Sequence, residues 1–565
     1  MELSDKKGVQ QIGMALAALG LKEVVICPGS RNAPFVISFN RHPSFHCTSI
    51  RDERSAAFFA LGKALELNQP VAVLCTSGSA ALNFAPAIAE AYYQRIPLIV
   101  LTADRPKIWT DQGDGQTINQ TDMYKNYIRK SYELNGDATA ENDLWYIDRC
   151  LSEGYHLAAC SDKGPVHFNI PVSEPLYGTA VADEKHAPKI FREIEIEKRI
   201  PEKEMERMAQ QFSETKKVML LIGQHRPDEK LQKVIQQISK FENVAVLTES
   251  TSNIHDESFV ENIDRCITHL NKKDAEELMP DLLITAGGAV VSKRIKKLLR
   301  DASPKYHWNI HPYNSTMDTY QSLTSAVATE PVPFFQQLLN HVKPTFSDYN
   351  NKWQQLKSAK EESHQQFCEK IAYSDFKVFH TIFNTQSSSI HVHLANSSVI
   401  RYAQLFDHSK TASTWSNRGT SGIDGSSSTA VGAAAASPDK DFVLITGDVA
   451  FHYDKNAFWT ETPVENLKVI IINNGGGGIF RIIPGPDKIA EREIFIETSM
   501  ATNAEHIAAH YGWNYLAVKD EQHLESTLKK FFAPSSKKTI LEIFTDANQN
   551  PLVLEQYWKF LKEKK

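Results

Sequence analysis

Two polar side chains with the chemistry of a metal site follow hydrophobic runs in the last third of the sequence. The segment "FVLITGD" ends at Asp448, and "VIIINNGGGG" reaches Asn474 26 residues later. This separation corresponds to one helix plus one strand, so neighbouring strand ends can present both side chains to one point. Carboxylate and amide oxygens are hard ligands that suit Mg²⁺, which also binds phosphate oxygens. The run Gly475–Gly478 lets the backbone approach a diphosphate, and a main-chain carbonyl there can add a ligand.

Each of these signals alone has a structural explanation. Asp448 in this position is also typical of a helix cap, and four glycines are also typical of a tight turn. Their combination, each after a hydrophobic run and at this separation, favours a binding site.

The elements that must hold these residues are predicted from repeated hydrophobic runs that end in Gly, Ser, Asn or Asp. Each run is continuous rather than alternating, which is typical of parallel strands buried on both faces. Segments of helical length such as "SAALNFAPAIAEAYYQ" and "SSSTAVGAAAASP" lie between them. The runs are "EVVICPGS" from Glu23, "VAVLCTSGS" from Val71, "LIVLTADRP" from Leu98, "VMLLIGQ" from Val218, "VAVLTES" from Val244, "DLLITAGG" from Asp281, "SIHVHLANS" from Ser389, "FVLITGD" from Phe442 and "KVIIINN" from Lys468.

Two charged stretches without a strand pattern interrupt this alternation, at about 183–207 and 344–370. We interpret both as connections between domains. The predicted units are therefore 1–182, 183–345 and 346–565, the last with an N-terminal linker. The predicted fold class is α/β, with three doubly wound parallel-sheet domains.

Bulk properties exclude several classes of protein. The 565 residues are 42% hydrophobic and 23% charged with a net charge of -6, so no basic field supports nucleic-acid binding. The N-terminal "MELSDKKGVQ" lacks the apolar segment of a signal peptide, and no run is long enough for membrane insertion. Seven scattered cysteines without a C-x-x-C pair favour a reducing compartment. We therefore expect a cytoplasmic protein.

The pair "GDV…NN" resembles the diphosphate-and-metal motif of thiamine-diphosphate-dependent enzymes, which is normally GDG followed by NN; here Val449 replaces the last glycine. The resemblance implies a pyrimidine-binding domain over 1–182, a central domain over 183–345 and a diphosphate-binding domain over 346–565. It also implies thiamine diphosphate and Mg²⁺ (or Mn²⁺) as cofactors. Asp448, Asn474 and Gly476 would then bind both metal and cofactor.

The same family requires a glutamate in its first domain. In "SIRDERSAAFFALGKA", Glu53 stands at the start of a predicted helix. By resemblance it hydrogen-bonds N1′ of the aminopyrimidine and is the catalytic residue, because the imino tautomer that it favours takes the proton from C2. Without the second motif, "RDER" would be interpreted as a solvated charge run or a helix cap.

Five motifs in order narrow the resemblance to the MenD family of menaquinone biosynthesis: "CPGSRNAP", "LTADRP", "SNRGTSGIDG", "GDVAFHYD" and "NNGGGGIF". That family decarboxylates 2-oxoglutarate and adds the succinyl-semialdehyde carbanion to isochorismate. The resemblance covers the first and third units, and the central unit mainly through "SKR" at Ser292–Arg294. It also implies a homodimer or homotetramer with the cofactor between subunits.

The resemblance assigns further residues to the site. Arg418 and Ile423 match positions around the cofactor, Ile423 beneath the thiazolium. For Arg105, Lys293 and Arg294, a structural role explains the sequence equally well. Both substrates are polyanions, which favours arginine. The substrate-binding positions implied are Ser30, Arg31, Arg105, Gln116, Lys293, Arg294, Ser397, Arg401, Ile479, Phe480 and Ile483.

Three other functions remain as alternatives. An acetohydroxyacid-synthase-like or simply decarboxylating lyase would share the fold, but the arginine-rich motifs and the missing GDG disfavour it. A non-catalytic member of the fold is disfavoured because Glu53, Asp448 and Asn474 are all present. A nucleotide-binding module would need Lys-Ser/Thr after the glycines, which this sequence lacks.

Overall fold

The computed structural model describes residues 1–182, 187–194, 196–483, 485–486, 489–534 and 538–563. Part of the predicted connection 183–207, namely 183–186 and 195, lies outside these residues. The strands are β1 Glu2–Ser4, β2 Glu23–Ile26, β3 His46–Ser49, β4 Val71–Cys75, β5 Leu98–Asp104, β6 Ser131–Glu133, β7 Val166–Pro171, β8 Thr179–Val181, β9 Val218–Ile222, β10 Val244–Thr248, β11 Leu282–Ala286, β12 Tyr306–Ile310, β13 Ser325–Val327, β14 His391–Leu394, β15 Ser413–Trp415, β16 Phe442–Gly447, β17 Leu467–Asn473, β18 Asn514–Val518 and β19 Thr539–Phe544.

Helices connect these strands. They are α1 Lys7–Leu19, α2 Ala33–Arg41, α3 Glu53–Leu67, α4 Ser79–Leu82, α5 Ala85–Gln94, α6 Glu141–His156, α7 Glu202–Glu214, α8 Glu229–Ile238, α9 Ile263–Ile267, α10 Lys272–Leu278, α11 Lys293–Ala302, α12 Pro331–Leu339, α13 Tyr349–Cys368, α14 Asp375–Thr385, α15 Ser398–Ala403, α16 Ser426–Ala436, α17 Asp448–Tyr453, α18 Ile479–Ile482, α19 Glu505–His510, α20 Glu521–Phe532 and α21 Gln549–Glu563. Within the described ranges, every helix is too short or too polar to cross a bilayer.

Three parallel sheets confirm the predicted α/β class. The first has the order β3-β2-β4-β5-β7-β6, and the third has β15-β14-β16-β17-β19-β18. These two orders are the same when each sheet is numbered from its own first strand. The central sheet, β10-β9-β11-β12-β13, shares the order of its first four strands with both. In each sheet the strand order reverses between the first and third strands along the chain. Ligands of α/β proteins bind at this point of the sheet edge.

All nine predicted runs lie in parallel strands of the three sheets. The predicted helix over "SAALNFAPAIAEAYYQ" is two helices, α4 and α5, with Pro86 near the start of the second. The domain boundaries themselves stay a prediction. The antiparallel pair β1–β8, which joins the N-terminus to the end of the first unit, was not predicted from the sequence.

Three interior strands, β7, β12 and β19, were not predicted, and buried polar side chains explain the first two. In β7, His167 and Asn169 interrupt the apolar run, and both hydrogen-bond to the hydroxyl of Thr102 on β5, at 2.8 and 2.9 Å. The central sheet repeats this arrangement between β12 and β11, where the hydroxyl of Thr285 lies 2.9 Å from both partners. Because the polar groups satisfy one another, these strands stay buried despite their composition.

Helices α3 and α16 connect the first and third units. Both are rich in alanine and are buried almost all round. A Cβ atom on Gly62 would lie 2.1 Å from the carbonyl oxygen of Thr429, and one on Gly432 would lie 2.1 Å from that of Phe59. Glycine at these two positions therefore allows the backbones to touch.

Helix α13 lies where the linker was predicted. Tyr349 and Trp353, in its first half, are fully buried in the core of the central unit. Its last residue, Cys368, is buried in the core of the third unit. One helix therefore belongs to two cores.

We predict that Gly62→Ala destabilises the protein by about 1–3 kcal/mol, because the new methyl group forces the two helix backbones apart. Chemical denaturation of the whole chain measures this change. Gly115→Ala is the matched control, since a Cβ there meets no atom within 4 Å. Equal unfolding free energies for the two variants would contradict the proposed contact.

Candidate functional site

The carboxyl ends of β16 and β17 bring Asp448 and Asn474 to one edge of the third sheet. Asp448 begins α17, and its carboxylate accepts hydrogen bonds from the backbone N–H groups of Val449 and Gly476, at 2.7 and 2.8 Å. Burial raises the pKa of Asp448 to about 7, although these backbone hydrogen bonds oppose the shift. Val449 is an ordinary helical residue of α17, so this position does not require the family's glycine.

Asn474 has one amide atom satisfied and one free. Its Nδ2 donates to the carboxylate of Asp375 at 2.9 Å, whereas its buried Oδ1 has no hydrogen-bond partner. Such an oxygen is costly unless a ligand satisfies it. An unpartnered amide oxygen beside a buried carboxylate therefore fits a hard divalent cation. Asp375 was not predicted, because it precedes Asn474 by 99 residues and lies in an ordinary helix start.

The glycine run is also required by close packing against a neighbouring segment of the chain. A Cβ on Gly477 would lie 2.8 Å from the carbonyl oxygen of Glu497, and one on Gly478 would lie 2.7 Å from the side chain of Asn474. The N–H of Gly477 donates to the Glu497 carbonyl, and that of Met500 donates to the Gly475 carbonyl. The glycines therefore allow the segment 497–500 to fold over them.

The predicted apolar segment follows the glycines. Ile479 and Phe480 lie in α18, Ile483 follows it, and all three are half-buried. Glu497 holds this segment through ion pairs with Arg481 and Arg492, at 2.8 and 2.7 Å. The buried Glu497 thus connects two parts of the loop that surrounds the glycine run.

The loop 416–425 carries Arg418 and Ile423. Asn396 organises it, because its Nδ2 donates to the carbonyls of Asn417 and Gly422, each at 2.7 Å. Its Oδ1 accepts from the guanidinium of Arg418 at 2.8 Å. Ile423 is half-buried within the same loop. Asn396 lies two residues after the end of β14, and this position near a strand end was the only sequence signal that pointed to it.

A carboxylate from the first unit anchors this loop. Glu90 of α5 is buried, and it accepts from the backbone N–H groups of Gly419 and Thr420, at 2.8 and 2.7 Å. It also accepts from the Thr420 hydroxyl at 2.6 Å. The position of the loop in the third unit therefore depends on a side chain more than 300 residues earlier.

Ser397 and Arg401 lie at the carboxyl end of β14. Ser397 stands directly before α15 with a φ of 73°, and Arg401 lies within that helix. Burial lowers the pKa of the Arg401 guanidinium, and the nearby Asp264 opposes the shift. Asp264 belongs to α9 of the central unit, so Arg401 lies at the boundary between two units.

The residues of "SKR" lie at the start of α11. Lys293 is exposed, while Arg294 places its guanidinium 3.9 Å from the ring centre of Trp558 and donates to the Thr268 hydroxyl. Arg294 is therefore held in a structural contact with α21. The role of both residues in substrate binding stays a prediction.

Two predicted arginines meet at the carboxyl edge of the first sheet. The buried Arg31 donates to the Val172 carbonyl at 2.9 Å and to the Glu174 carboxylate at 3.1 Å. Arg105 lies 3.1 Å from Asp114 and 3.7 Å from the same oxygen of Glu174. Burial, followed by repulsion from Arg105, lowers the pKa of Arg31. An exposed carboxylate thus bridges two crowded guanidinium groups, as a bound anion could.

Ser30 and Gln116 lie in loops at the same carboxyl edge of the first sheet as these arginines. Ser30 directly precedes Arg31 and is exposed. Gln116 has an exposed side chain and a φ of 56°, and its carbonyl accepts from the hydroxyl of Ser77, which follows β4. Both residues therefore belong to the same sheet edge as the arginine pair.

Glu53 begins α3, as predicted. Asp52 caps this helix by accepting from the N–H of Ser55 at 3.0 Å, so the Glu53 carboxylate is not needed as the cap. Glu53 is half-buried, and burial raises its pKa. Among the described residues, no hydrogen bond or ion pair joins Glu53 to Asp448 or Asn474.

Four arginines predicted for the site have a buried Nε atom without a hydrogen-bond partner. A buried guanidinium N–H that has no acceptor favours an incoming carboxylate, which accepts from two N–H groups at once. These arginines are Arg31, Arg105, Arg401 and Arg418.

Comparison with known proteins identifies the domains around both sheet edges. Residues 6–123 match the N-terminal TPP binding domain of thiamine pyrophosphate enzymes. Residues 397–543 match the C-terminal TPP binding domain of the same enzymes. The first match contains Glu53, and the second contains Asp448 and Asn474.

Relatives match over nearly the full chain. The 2-succinyl-5-enolpyruvyl-6-hydroxy-3-cyclohexene-1-carboxylate synthase of Flavobacterium johnsoniae is 43% identical, over 98% of both chains. The synthase of the same name from Porphyromonas gingivalis is 38% identical over 99% of this chain and 98% of its own. That of Bacteroides fragilis is 36% identical over 99% of this chain and all of its own. The chain therefore belongs to the 2-succinyl-5-enolpyruvyl-6-hydroxy-3-cyclohexene-1-carboxylate synthase (MenD) family of thiamine-diphosphate-dependent enzymes.

Proposed function

We propose that this chain decarboxylates 2-oxoglutarate and transfers the resulting four-carbon unit to isochorismate, which yields 2-succinyl-5-enolpyruvyl-6-hydroxy-3-cyclohexene-1-carboxylate and CO₂. The names of the full-length relatives support the reaction. The observation that carries the proposal in this chain is the unpartnered Oδ1 of Asn474 beside Asp448, at the edge where the family holds its cofactor. Bacterial menaquinone synthesis in the cytoplasm is the corresponding cellular role.

We assign the cofactor site to both sheet edges. Thiamine diphosphate, when bound, supplies the electron sink for decarboxylation. Asp448, Asn474 and the carbonyl of Gly476 would hold Mg²⁺ or Mn²⁺ and, through it, the diphosphate. Arg418 and Ile423 would line the cofactor from the loop 416–425. Glu53 would hold a proton at N1′ of the aminopyrimidine.

The substrate carboxylates are assigned to the cationic side chains. Arg31, Arg105 and Arg401, with Lys293 and Arg294, would bind them, because a guanidinium matches a carboxylate in geometry. Ser30, Gln116 and Ser397 would add hydrogen bonds from the sheet edges. Ile479, Phe480 and Ile483 would exclude water from the reacting carbon on the other side.

We further infer a homodimer or homotetramer in which Glu53 of one subunit serves the metal site of the other. The support is the family resemblance, which implies a cofactor held between domains of different subunits. Within one chain, Asp52 and Arg54 on either side of Glu53 already contact Asn456 and Tyr453 of the third unit, so the contact between units does not itself decide the assembly.

The reaction is tested by supplying 2-oxoglutarate, thiamine diphosphate and Mg²⁺ with and without isochorismate. We expect CO₂ release that depends on isochorismate and equal consumption of both substrates, measured by chromatography. CO₂ release at the same rate without isochorismate would indicate a simple decarboxylase instead.

We predict that Glu53→Gln lowers kcat by about 10²–10⁴-fold, because the amide cannot exchange a proton with the aminopyrimidine. Cofactor affinity, measured by quenching of tryptophan fluorescence, should change by less than about threefold, since glutamine keeps the shape of the side chain. Glu141→Gln, at an exposed glutamate of α6, is the control. Unchanged turnover in Glu53→Gln would refute the proton role.

We predict that Asp448→Ala weakens Mg²⁺-dependent binding of thiamine diphosphate by about tenfold or more, because a charged ligand is lost. Isothermal titration with and without EDTA measures the effect, and wild-type binding should fall when the chelator is present. The exposed Asp439→Ala, in the same unit, should behave as wild type. A variant that binds the cofactor as tightly as wild type would exclude Asp448 as a ligand.

A further inference from the structure

We propose that Asp375 is a positioning residue, which fixes the amide of Asn474 so that its oxygen faces the divalent cation. The inference rests on the proposed metal site and adds a residue to it. Asp375 is the first residue of α14, and only 2% of its surface is exposed.

The hydrogen bonds of Asp375 determine which amide atom of Asn474 is free. Burial raises the pKa of Asp375, and its hydrogen bonds from Thr545, Asn474 and Asn550 oppose this shift. Both carboxylate oxygens accept hydrogen bonds, one from the Thr545 hydroxyl and the other from Nδ2 of Asn474 at 2.9 Å. A rotated amide would place two oxygen atoms against each other. Oδ1 is therefore directed away from Asp375, and this is the atom without a partner.

The carboxylate of Asp375 is itself held in place. Its second oxygen accepts from the Thr545 hydroxyl at 2.6 Å, and its backbone N–H donates to Oδ1 of Asn550 at 2.8 Å. Asn550 also donates to the Thr545 hydroxyl, at 3.1 Å. The N–H of Thr545 donates to the carbonyl of Asn473, beside the metal ligand. This network leaves the carboxylate no freedom to rotate.

Helix capping does not explain Asp375. Ser374 is the N-cap residue of α14, and its hydroxyl accepts from the N–H of Lys377. Both oxygens of Asp375 are directed to side chains on other elements. Asp375 therefore connects the start of α14 to the ends of β17 and β19.

The charge around Asp375 also points to a cation. In the part of the chain that the structure describes, Asp375 forms no ion pair with Lys, Arg or His, and the buried Asp448 carboxylate accepts from backbone N–H groups rather than from a cationic side chain. Two buried carboxylates without a counter-ion are costly. A divalent cation bound between Asp448 and Asn474 would balance both.

The test measures binding of Mn²⁺ to the full chain in the presence of thiamine diphosphate, from the electron paramagnetic resonance signal of free Mn²⁺. Asp375→Ala should weaken Mn²⁺ binding by about tenfold or more, as is usual when the support of a metal ligand is lost. Asp148→Ala is the matched control: Asp148 is a buried aspartate that accepts from Gln11 Nε2 at 2.7 Å, far from the site in the first sheet's helix α6. It should leave Mn²⁺ binding unchanged.

A pair of exchanged residues tests the hydrogen bond itself. Asn474→Asp alone places two carboxylates face to face and should weaken Mn²⁺ binding strongly. Adding Asp375→Asn restores a donor–acceptor pair and keeps an oxygen toward the cation, so the double variant should bind at least about tenfold more tightly than Asn474→Asp. This comparison remains decisive if Asp375→Ala fails to fold.

Two results would overturn the positioning role. One is wild-type Mn²⁺ affinity in Asp375→Ala, and the other is a double variant that binds no better than Asn474→Asp. Wild-type protein that binds no Mn²⁺ with thiamine diphosphate would instead overturn the proposed metal site, and the positioning role with it.

Discussion

The contact between α3 and α16 is the constraint on which the site depends. Two backbones touch at Gly62 and Gly432, so neither helix can slide or rotate without a clash. One of these helices begins with Glu53, and the other begins where the loop of Arg418 and Ile423 ends. Close packing of two alanine-rich helices therefore sets the spacing between the first and third units, and with it the placement of side chains that are remote in sequence.

Much of this arrangement could be predicted from short segments, because the central strands are continuous apolar runs and the site residues follow them. The start of α3 at Glu53 and the strand ends before Asp448 and Asn474 needed only local patterns. What was not predicted depends on distant partners: β7 and β12 are buried because a threonine on the neighbouring strand satisfies their polar groups. Asp375 and Glu90 likewise act on loops through hydrogen bonds over 99 and more than 300 residues. Hydrophobic periodicity indicates local structure only, so it does not predict such contacts.

Buried carboxylates recur as the supports of the site loops. Asp375 holds Asn474, and Glu90 holds the loop 416–425 through two backbone N–H groups. Glu542 on β19 accepts from Nδ2 of Asn473, the N–H of Ala504 and the Tyr515 hydroxyl. These three carboxylates use neutral donors, whereas the buried Glu497 pairs with Arg481 and Arg492. In both cases the carboxylate rigidifies a loop beside the site, by hydrogen bonds or by ion pairs.

Helix α13 limits how the protein can be divided. Tyr349 and Trp353 complete the core of the central unit, although they follow the predicted boundary at residue 345. A fragment that begins at residue 346 would expose both aromatic side chains to water, while a fragment that ends at 345 would have a hole in its core. Residues that follow the predicted boundary in the sequence therefore belong to the core of the unit before it. A recombination junction between relatives anywhere in this helix would divide it from one of the two cores, so we expect the central and third units to be exchanged together.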